Sequence, residues 1–477
     1  MMYSITKAEQ ELQSRREGLN LRWYPRYHLA ARAGWMNDPN GLVWFDGWYH
    51  AFYQHHPYST QWGPMHWGHA RSKDLVRWEH LPVALAPEGP DDKDGCFSGS
   101  AVVDGDTLAL IYTGHKFHGD PGDEANLYQV QCLATSRDGI QFVRHGTVID
   151  TPPGLHHFRD PKVWREGAWW YLVVGAREGD TGQVRVYRSA DLREWQDRGV
   201  LAVAEKELGY MWECPDFFTL NGKRVLMFSP QGLAADGFKH RNLFQSGYLV
   251  GEWQPGQPFM REGEFVEMDY GHDFYAAQSF LTPDGRRIVI GWLDMWESPL
   301  PEQEDGWAGM LSLPRELTLS ADNRLQMRPA REVESLRGAW FPCPISTLNN
   351  QQMTLVEHCD AMEVILQWDC ANSSAEQYGI RLGDGLRLYV DAQMQRLVLE
   401  RDYPQYGLCG TRSVALNLSN ALNLRLFFDS SSVEVFVNEG EACLSSRIYP
   451  DADCRELALF AWTGGASLIH GGAWQLE

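Results

Sequence analysis

The chain has 477 residues, 44% hydrophobic and 22% charged, a composition typical of a globular protein with more than one core. Its formal net charge of −21 disfavours binding to nucleic acids or anionic membranes, because such a surface repels phosphate groups. No apolar stretch reaches the roughly 18 residues of a membrane-spanning helix, and residues 1–21 are polar without a secretory signal. The nine cysteines lack C-x-x-C pairs, so we expect free thiols and a cytoplasmic protein.

Residues 1–21 have helical spacing and are predicted to form an N-terminal extension. After them, five segments share an acidic residue or Asn, then Gly, then an apolar β-rich run: 45–55, 103–115, 165–177, 220–232 and 283–295. This pattern is typical of a tight hairpin turn, and further strand-like stretches lie between the turns, as at 66–81 and 129–143. About four strands per repeat predict an all-β fold, a five-bladed β-propeller over residues 22–320. Unrelated hairpins in a sandwich are the alternative.

The innermost strands of a propeller start at one mouth of a central channel, so residues ahead of each turn glycine should converge there. The turn glycines are Gly47, Gly105, Gly167, Gly222 and Gly285, and the residues seven or nine positions ahead of them are Asp38, Ser98, Asp160, Glu213 and Gln278. Three of these five are carboxylates. Asp38 and Asp160 precede proline, which predicts an extended backbone at both positions.

Carboxylates crowded in a partly desolvated pocket do not all ionise easily, so one pKa rises while another stays low. Glycoside hydrolysis uses this division, with one protonated acid and one ionised carboxylate. A third carboxylate could hold substrate hydroxyls. Two alternatives stay open: a Ca²⁺ site, although the D-x-D-x-D spacing of a calcium loop is absent, and a simple polar rim of the channel.

Aromatic and amide side chains interleave with these carboxylates, and this mixture suits a sugar better than a bare ion. The residues concerned are Trp35, Asn37, Gln54, Trp62, Phe97, Trp212, Tyr275 and Trp292. Abundant aromatics also suit half-buried sheets, so composition alone does not decide. Arg159, next to Asp160, could keep that carboxylate ionised, bind hydroxyls or form a structural ion pair.

Motifs at these positions resemble glycoside hydrolase family 32, the invertases and sucrose-6-phosphate hydrolases. They are WMNDPNG at 35–41, WGPMHWGHA at 62–70, FSGS at 97–100, FRDP at 158–161 and WECPD at 212–216. The three carboxylate motifs follow the order of the family. The resemblance runs from about residue 22 to the C-terminus and is greatest to intracellular bacterial sucrose hydrolases.

The resemblance implies a retaining β-fructofuranosidase that cleaves sucrose or sucrose 6-phosphate without a cofactor or metal. Asp38 would be the nucleophile, Glu213 the acid/base, and Asp160 would bind fructosyl hydroxyls and stabilise the transition state. The subsites would be formed by Trp35, Asn37, Gln54, Trp62, Phe97, Ser98, Arg159, Tyr275 and Trp292. Many family members have Trp where Phe97 stands. Retention implies about 5–5.5 Å between the nucleophile and acid/base carboxyl groups.

The pattern changes after the repeats. Residues 321–345 are predicted to be a partly helical linker, and residues 346–477 alternate apolar strands with Asp, Asn and Gly turns, which predicts a β-sandwich. The family likewise appends a sandwich to its propeller. We expect this domain to stabilise the protein or form an oligomer, with sugar binding as the alternative.

Other functions remain compatible with the sequence. An inverting arabinan-type propeller hydrolase would hold its carboxylates about 6.5–9.5 Å apart. A sugar-binding propeller without chemistry would tolerate amides at the carboxylate positions, and a fructosyl-enzyme could also transfer to a second sugar. The choice between sucrose and its 6-phosphate stays open, because neither Lys116 nor Lys162 can be placed at the leaving-group subsite. The expected partner is a small sugar, and the oligomeric state is open.

Overall fold

The computed structural model describes residues 3–205, 207–344 and 346–477. Its first element is the helix α1 (Ile5–Arg16), within the predicted N-terminal extension. The Ser4 side chain caps this helix by accepting a hydrogen bond from the backbone N–H of Lys7 at 3.2 Å. Ala8 and Leu12 are buried against Val83 of the propeller, so one apolar face of an otherwise polar helix holds it in place. No helix in the described part of the chain is long and apolar enough to cross a membrane.

The predicted five-bladed propeller is confirmed, and each blade is a four-stranded antiparallel sheet. Blade I contains β1 (Gly34–Phe45), β2 (Trp48–His56), β3 (His66–Ser72) and β4 (Trp78–Leu85). Blade II contains β5 (Gly95–Asp104), β6 (Thr107–Phe117), β7 (Leu127–Ser136) and β8 (Val143–Ile149). Blade III contains β9 (His157–Glu166), β10 (Trp169–Glu178), β11 (Thr181–Ser189) and β12 (Trp195–Val203).

Blade IV contains β13 (Met211–Leu220), β14 (Lys223–Gln231), β15 (Gly247–Glu252) and β16 (Met260–Glu267). Blade V contains β17 (Tyr275–Leu281), β18 (Arg287–Trp292), β20 (Arg315–Leu319) and β21 (Leu325–Pro329). Between β18 and β20 the chain crosses to blade I, where the two-residue strand β19 (Trp307–Ala308) pairs in parallel with the start of β1. This pairing joins the last blade to the first.

The predicted turn glycines connect the first and second strands of all five blades. Their φ angles lie between +62° and +84°, the left-handed region that glycine enters without steric cost. After each tight turn the second strand therefore runs antiparallel to the first strand of the same blade. This hairpin is repeated in every blade of the ring.

A β-bulge interrupts the pairing of the first two strands in every blade, close to the start of the first strand. The register shifts fall between Met36 and Pro39, Phe97 and Gly99, Glu213 and Asp216, Tyr275 and Gln278, and, opposite β9, between Val173 and Gly175. A bulge bends its strand and redirects side chains. The residues that the sequence places at the channel mouth thus sit in or beside five equivalent bulges.

The expectation of an extended backbone at Asp160 is wrong. Asp160 has a φ of +69°, in the left-handed region, although proline follows it. The bulge imposes this conformation, which aspartate tolerates better than most residues. The backbone N–H of Asp160 donates to Thr113 Oγ1 at 3.0 Å, a contact that holds the turned backbone against blade II.

The predicted linker at 321–345 is also wrong over most of its described length. Residues 325–329 form β21, the outermost strand of blade V, a 3₁₀ helix follows at Arg331–Leu336, and β22 (Arg337–Pro342) belongs to the second domain. Leu325, Met327 and Pro329 alternate with more exposed neighbours, which is the burial pattern of an outer strand. The strand has only three buried positions, with polar residues between them, so its alternation is difficult to recognise in the sequence.

The second domain is the predicted β-sandwich. Besides β22 it contains β23 (Thr347–Val356), β24 (Met362–Asp369), β25 (Gln377–Leu382), β26 (Leu386–Asp391), β27 (Arg396–Tyr403), β28 (Leu408–Ala415), β29 (Ala421–Asp429), β30 (Ser432–Val437), β31 (Ala442–Arg447) and β32 (Leu457–Leu476). The 20-residue strand β32 pairs with β25 through its first part and with β24 through its second. One strand therefore joins the strands β25–β28 to the group formed by β24 and β29–β31.

Both domains also contain short 3₁₀ helices, at Glu124–Asn126, Pro301–Asp305, Arg331–Leu336, Cys370–Asn372, Pro404–Tyr406 and Asn438–Gly440.

Buried charges join the propeller to the sandwich. Arg315 of β20 donates to Glu434 Oε2 of β30 at 2.6 Å and to Asp269 Oδ2 at 3.0 Å. His28 contacts Glu434 Oε1 at 2.6 Å and Asp429 Oδ2 at 2.8 Å, and all these side chains are shielded from solvent. Burial opposes ionisation of Glu434, yet Arg315 and His28 lower its pKa to about 2. The charges compensate one another only while the two domains remain together.

We predict that Glu434→Gln lowers the free energy of unfolding by about 3 kcal/mol or more, because it leaves Arg315 and His28 buried without their shared counter-charge. Urea denaturation measures the change. The control is Glu400→Gln, which removes a half-exposed pair with Arg387 at 2.7 Å and should cost less than about 1 kcal/mol. Equal effects of the two substitutions would contradict the stated role of the buried network.

Candidate active site

A cavity of about 880 Å³ opens at the mouth of the propeller, where the first strands of the blades begin. Nine of the residues predicted for the site line it: Asn37, Asp38, Gln54, Trp62, Phe97, Ser98, Arg159, Asp160 and Glu213. They come from blades I to IV. The convergence expected from the turn spacing is therefore present in the structure.

Asp38 lies in the bulge of β1 and is almost completely buried. Ser98 Oγ donates to its Oδ2 at 2.8 Å, and Asn37 Nδ2 donates to its Oδ1 at 3.0 Å. Trp35 Nε1 in turn donates to Asn37 Oδ1 at 2.7 Å, which fixes the orientation of the amide. Each carboxyl oxygen of Asp38 thus has a donor that holds its position.

Cys214 lies between the two aspartates. Its backbone N–H donates to Asp160 Oδ2 at 3.0 Å. Its thiol sulfur is 3.4 Å from Asp38 Oδ2 and 3.6 Å from Asp160 Oδ2. Cys214 has a φ of +49° in the bulge of β13, and this turned backbone directs the N–H toward the carboxylate. One residue therefore links the carboxyl groups of blades I and III.

Glu213, the neighbour of Cys214, accepts hydrogen bonds at both carboxyl oxygens. Arg159 donates to Oε1 from Nη2 at 2.8 Å and from Nε at 3.1 Å. Oε2 accepts from Tyr275 Oη at 2.5 Å and from Gln231 Nε2 at 3.1 Å. Glu213 is consequently fixed in place by donors from blades III, IV and V.

The surroundings of Asp38 and Asp160 raise the pKa values of both carboxyl groups. Burial raises the pKa of Asp38 to about 6 and the charge of Glu213 adds to the increase, against the hydrogen bonds from Asn37, Ser98 and Cys214. Burial also raises the pKa of Asp160, and Arg159 opposes that increase. Asp38 is therefore ionised at neutral pH although ionisation is costly, as suits a nucleophile.

Three aromatic residues predicted for the subsites lie behind the cavity wall. Trp35 orients Asn37, Tyr275 contacts Glu213, and Trp292 packs on Trp35 with ring centroids 6.0 Å apart. Gln278, expected at the mouth, instead donates to the carbonyl of Gly99 at 2.7 Å and ties blade V to blade II. These residues support the lining side chains from behind.

Sequence reasoning missed several lining residues, among them Lys93, His115, Glu124, Gln231, Phe244 and Trp296. His115 stacks on Phe97 with ring centroids 3.9 Å apart and planes 10° apart, so the two rings form one flat wall. His115 and Gln231 lie at the ends of second strands, opposite Gly95 and Met211. A hairpin returns its second strand to the mouth, so the positions nine or ten residues after each turn glycine were the available signal.

Within the residues that the structure describes, no group of three or more His, Cys, Asp or Glu side chains is arranged to hold a metal ion.

We predict that Asp38→Asn stabilises the folded protein at neutral pH. The pKa of Asp38 lies above its value in the unfolded chain, so the folded state loses stability as the pH rises from about 4 to about 6. A neutral amide removes this cost, and thermal unfolding at about pH 7.5 should show a gain of about 2–3 kcal/mol that disappears near pH 4.

Asp429→Asn serves as the control with the opposite sign. Burial disfavours ionisation of Asp429 as well, but His28 lowers its pKa, so an amide there should destabilise the protein. Destabilisation by Asp38→Asn at neutral pH would contradict the stated cost of ionising Asp38.

Comparison with known families agrees with this geometry. The model of the glycosyl hydrolases family 32 N-terminal domain matches residues 28–329, and that of the family 32 C-terminal domain matches residues 332–475. The boundary between them falls directly after β21, as in the structure.

Known proteins similar to this chain include two from Escherichia coli. A sucrose-6-phosphate hydrolase is 56% identical, with 95% of each chain covered, and a raffinose invertase is 54% identical, with 99% of each covered. Among solved structures, a Bombyx mori family 32 β-fructofuranosidase, also determined as a mutant in complex with sucrose, is 36% identical with a TM-score of 0.87 over 99% of this chain and 98% of that one. Since both family models match and relatives of this identity cover almost all of its residues, the chain belongs to glycosyl hydrolase family 32.

Proposed function

We propose that the protein is a retaining β-fructofuranosidase that cleaves sucrose, or sucrose 6-phosphate, through a covalent fructosyl-enzyme. The observation that carries this proposal is the placement of Asp38, Asp160 and Glu213 around one cavity with different hydrogen-bond partners. The names of the relatives and the sucrose-bound Bombyx mori structure support the substrate class.

In the first step the Asp38 carboxylate attacks the anomeric carbon of the fructosyl unit. The bond from that carbon to the glucosyl oxygen breaks, and Glu213, which acts in its protonated form in this step, gives its proton to the departing oxygen. Ser98 and Asn37 hold the attacking carboxylate from the side, and this avoids rearrangement during the reaction. Asp160 accepts hydroxyl hydrogen bonds and stabilises positive charge that develops on the ring.

In the second step Glu213, now a carboxylate, takes a proton from water while the water oxygen attacks the same carbon. The ester bond to Asp38 breaks and fructose leaves. While the ester exists Asp38 carries no charge, so the repulsion between Asp38 and the Glu213 carboxylate is absent during this step. Arg159, Tyr275 and Gln231 keep it in position through both steps.

The proposed site of action is the cytoplasm. Six cysteines are buried free thiols, including Cys214 between the two aspartates. Free thiols in this number fit a reducing compartment.

Retention is tested with methanol as an acceptor. We predict that turnover of sucrose in aqueous methanol yields methyl β-fructofuranoside, because the fructosyl-enzyme exposes the face that Asp38 does not occupy. Proton NMR of this product is decisive, since it does not mutarotate as fructose does. Formation of the α-anomer or of no methyl fructoside would favour the inverting alternative, and the absence of any turnover would favour a binding protein.

The two carboxylate roles are separated with β-fructofuranosyl fluoride, whose leaving group needs no proton. We predict that Glu213→Gln loses about 10²–10⁴-fold in kcat on sucrose but releases a burst of one fluoride per enzyme, since Asp38 still attacks and the ester then accumulates. Asp38→Asn is the matched control and should give no burst. A burst from Asp38→Asn, or none from Glu213→Gln, would contradict the assigned roles.

A further inference from the structure

The lining of the cavity carries an excess of negative charge. Its carboxylates are Asp38, Asp94, Glu124, Asp160 and Glu213, whereas Lys93 and Arg159 are the only Lys and Arg side chains among its described lining residues. The lining also contains His115 and His157, whose pKa values are lowered by burial and by the charge of Arg159, so both are neutral at pH 7. A ligand in this cavity therefore meets more carboxylates than cations.

Both cations already have acidic partners. Arg159 donates two hydrogen bonds to Glu213 at 2.8 and 3.1 Å, and Lys93 lies 3.7 Å from Asp94. The lysines considered from the sequence do not line the cavity: Lys116 pairs with Asp91 at 3.3 Å and Lys162 with Asp216 at 3.5 Å. An incoming anion would have to compete with a carboxylate for each of these cations.

A continuous set of contacts runs outward from Glu213 to Glu124. Arg159 contacts Glu213 and, through Nη1, His157 Nδ1 at 3.0 Å, and His157 Nε2 contacts Glu124 Oε1 at 3.0 Å. A second arginine, Arg177, also contacts Glu124, and it has two acidic partners. Its Nη1 is 3.6 Å from Glu124 Oε1, and its Nη2 is 3.0 Å from Asp180 Oδ1. The acid/base side of the cavity, where the proposed mechanism places the leaving sugar, is thus bordered by the Glu124 carboxylate, which counters the charge of Arg177.

We propose that this end of the cavity selects a neutral leaving sugar and rejects a 6-phosphate, with Glu124 as the specificity-determining residue. The inference rests on the proposed function, because it takes Glu213 as the acid that protonates the leaving group. Among the lining residues that the structure describes, a phosphate dianion placed here would find no Arg or Lys without an acidic partner, and these are the usual partners of a phosphate. The net charge of −21 adds repulsion during approach. One relative is named a sucrose-6-phosphate hydrolase and another a raffinose invertase, so their names point to both a phosphorylated and a neutral substrate.

The first test compares kcat/KM for sucrose and sucrose 6-phosphate on the wild-type protein as the ionic strength rises from about 0.01 to 0.1 M. We expect sucrose to be preferred by about tenfold or more, and the value for the phosphate to rise with salt because screening weakens repulsion. A preference for the phosphate, or a value for it that falls with salt, would overturn the inference and leave the fructosidase proposal intact. Turnover of neither sugar would instead overturn the proposed function.

The second test replaces Glu124, which is 68% exposed, by Gln. Loss of its charge removes one of the two acidic partners of Arg177, which keeps Asp180, and makes this end of the cavity less negative, so the ratio of kcat/KM for the phosphate over that for sucrose should rise several-fold. Glu252→Gln is the matched control: Glu252 is 58% exposed, pairs with Lys223 at 2.6 Å and lies at the turn end of blade IV, away from the mouth. The inference fails if Glu124→Gln leaves the ratio unchanged or if Glu252→Gln raises it equally.

Discussion

Three carboxyl groups with little exposure to solvent line one cavity, and many of the contacts around them compensate for this crowding. Their mutual repulsion and lost hydration would exclude full ionisation if nothing compensated for them. Arg159 and Tyr275 stabilise Glu213, the N–H of Cys214 stabilises Asp160, and Ser98 stabilises Asp38. Each of these stabilising groups belongs to a different blade from the carboxylate to which it donates a hydrogen bond. The site therefore exists only when the ring is closed.

The bulges explain how a regular ring produces an irregular site. A strand with unbroken pairing points alternate side chains into the sheets on either side, whereas a bulged strand can turn a side chain toward the channel. A left-handed backbone conformation costs free energy for residues other than glycine. Asp160 and Cys214 adopt it at the place where the carboxylates converge. A bulge occurs at the corresponding place in all five blades. The five positions at the channel mouth are therefore equivalent in the fold and differ in the side chains that they carry.

The sequence predicted the parts of the structure that depend on local chemistry. Left-handed hairpin turns require glycine, so their spacing indicates the number of blades and the positions of Asp38, Asp160 and Glu213. It did not predict the bulged backbone of Asp160, because a bulge depends on pairing with a neighbouring strand. The position of Trp35, Tyr275 and Trp292 behind the residues that line the cavity is likewise a property of packing. Strand β21 was too short and too polar for its alternation to be recognised.

The long strand β32 has a consequence for the order in which the protein can be built during translation. It pairs with four strands, β22 to β25, all of which leave the ribosome before it. Until residues 457–476 emerge, those strands have unpaired edges of the kind that attract other chains. The sandwich is therefore completed only when its last strand has been made, and the edges of the earlier strands stay open until then.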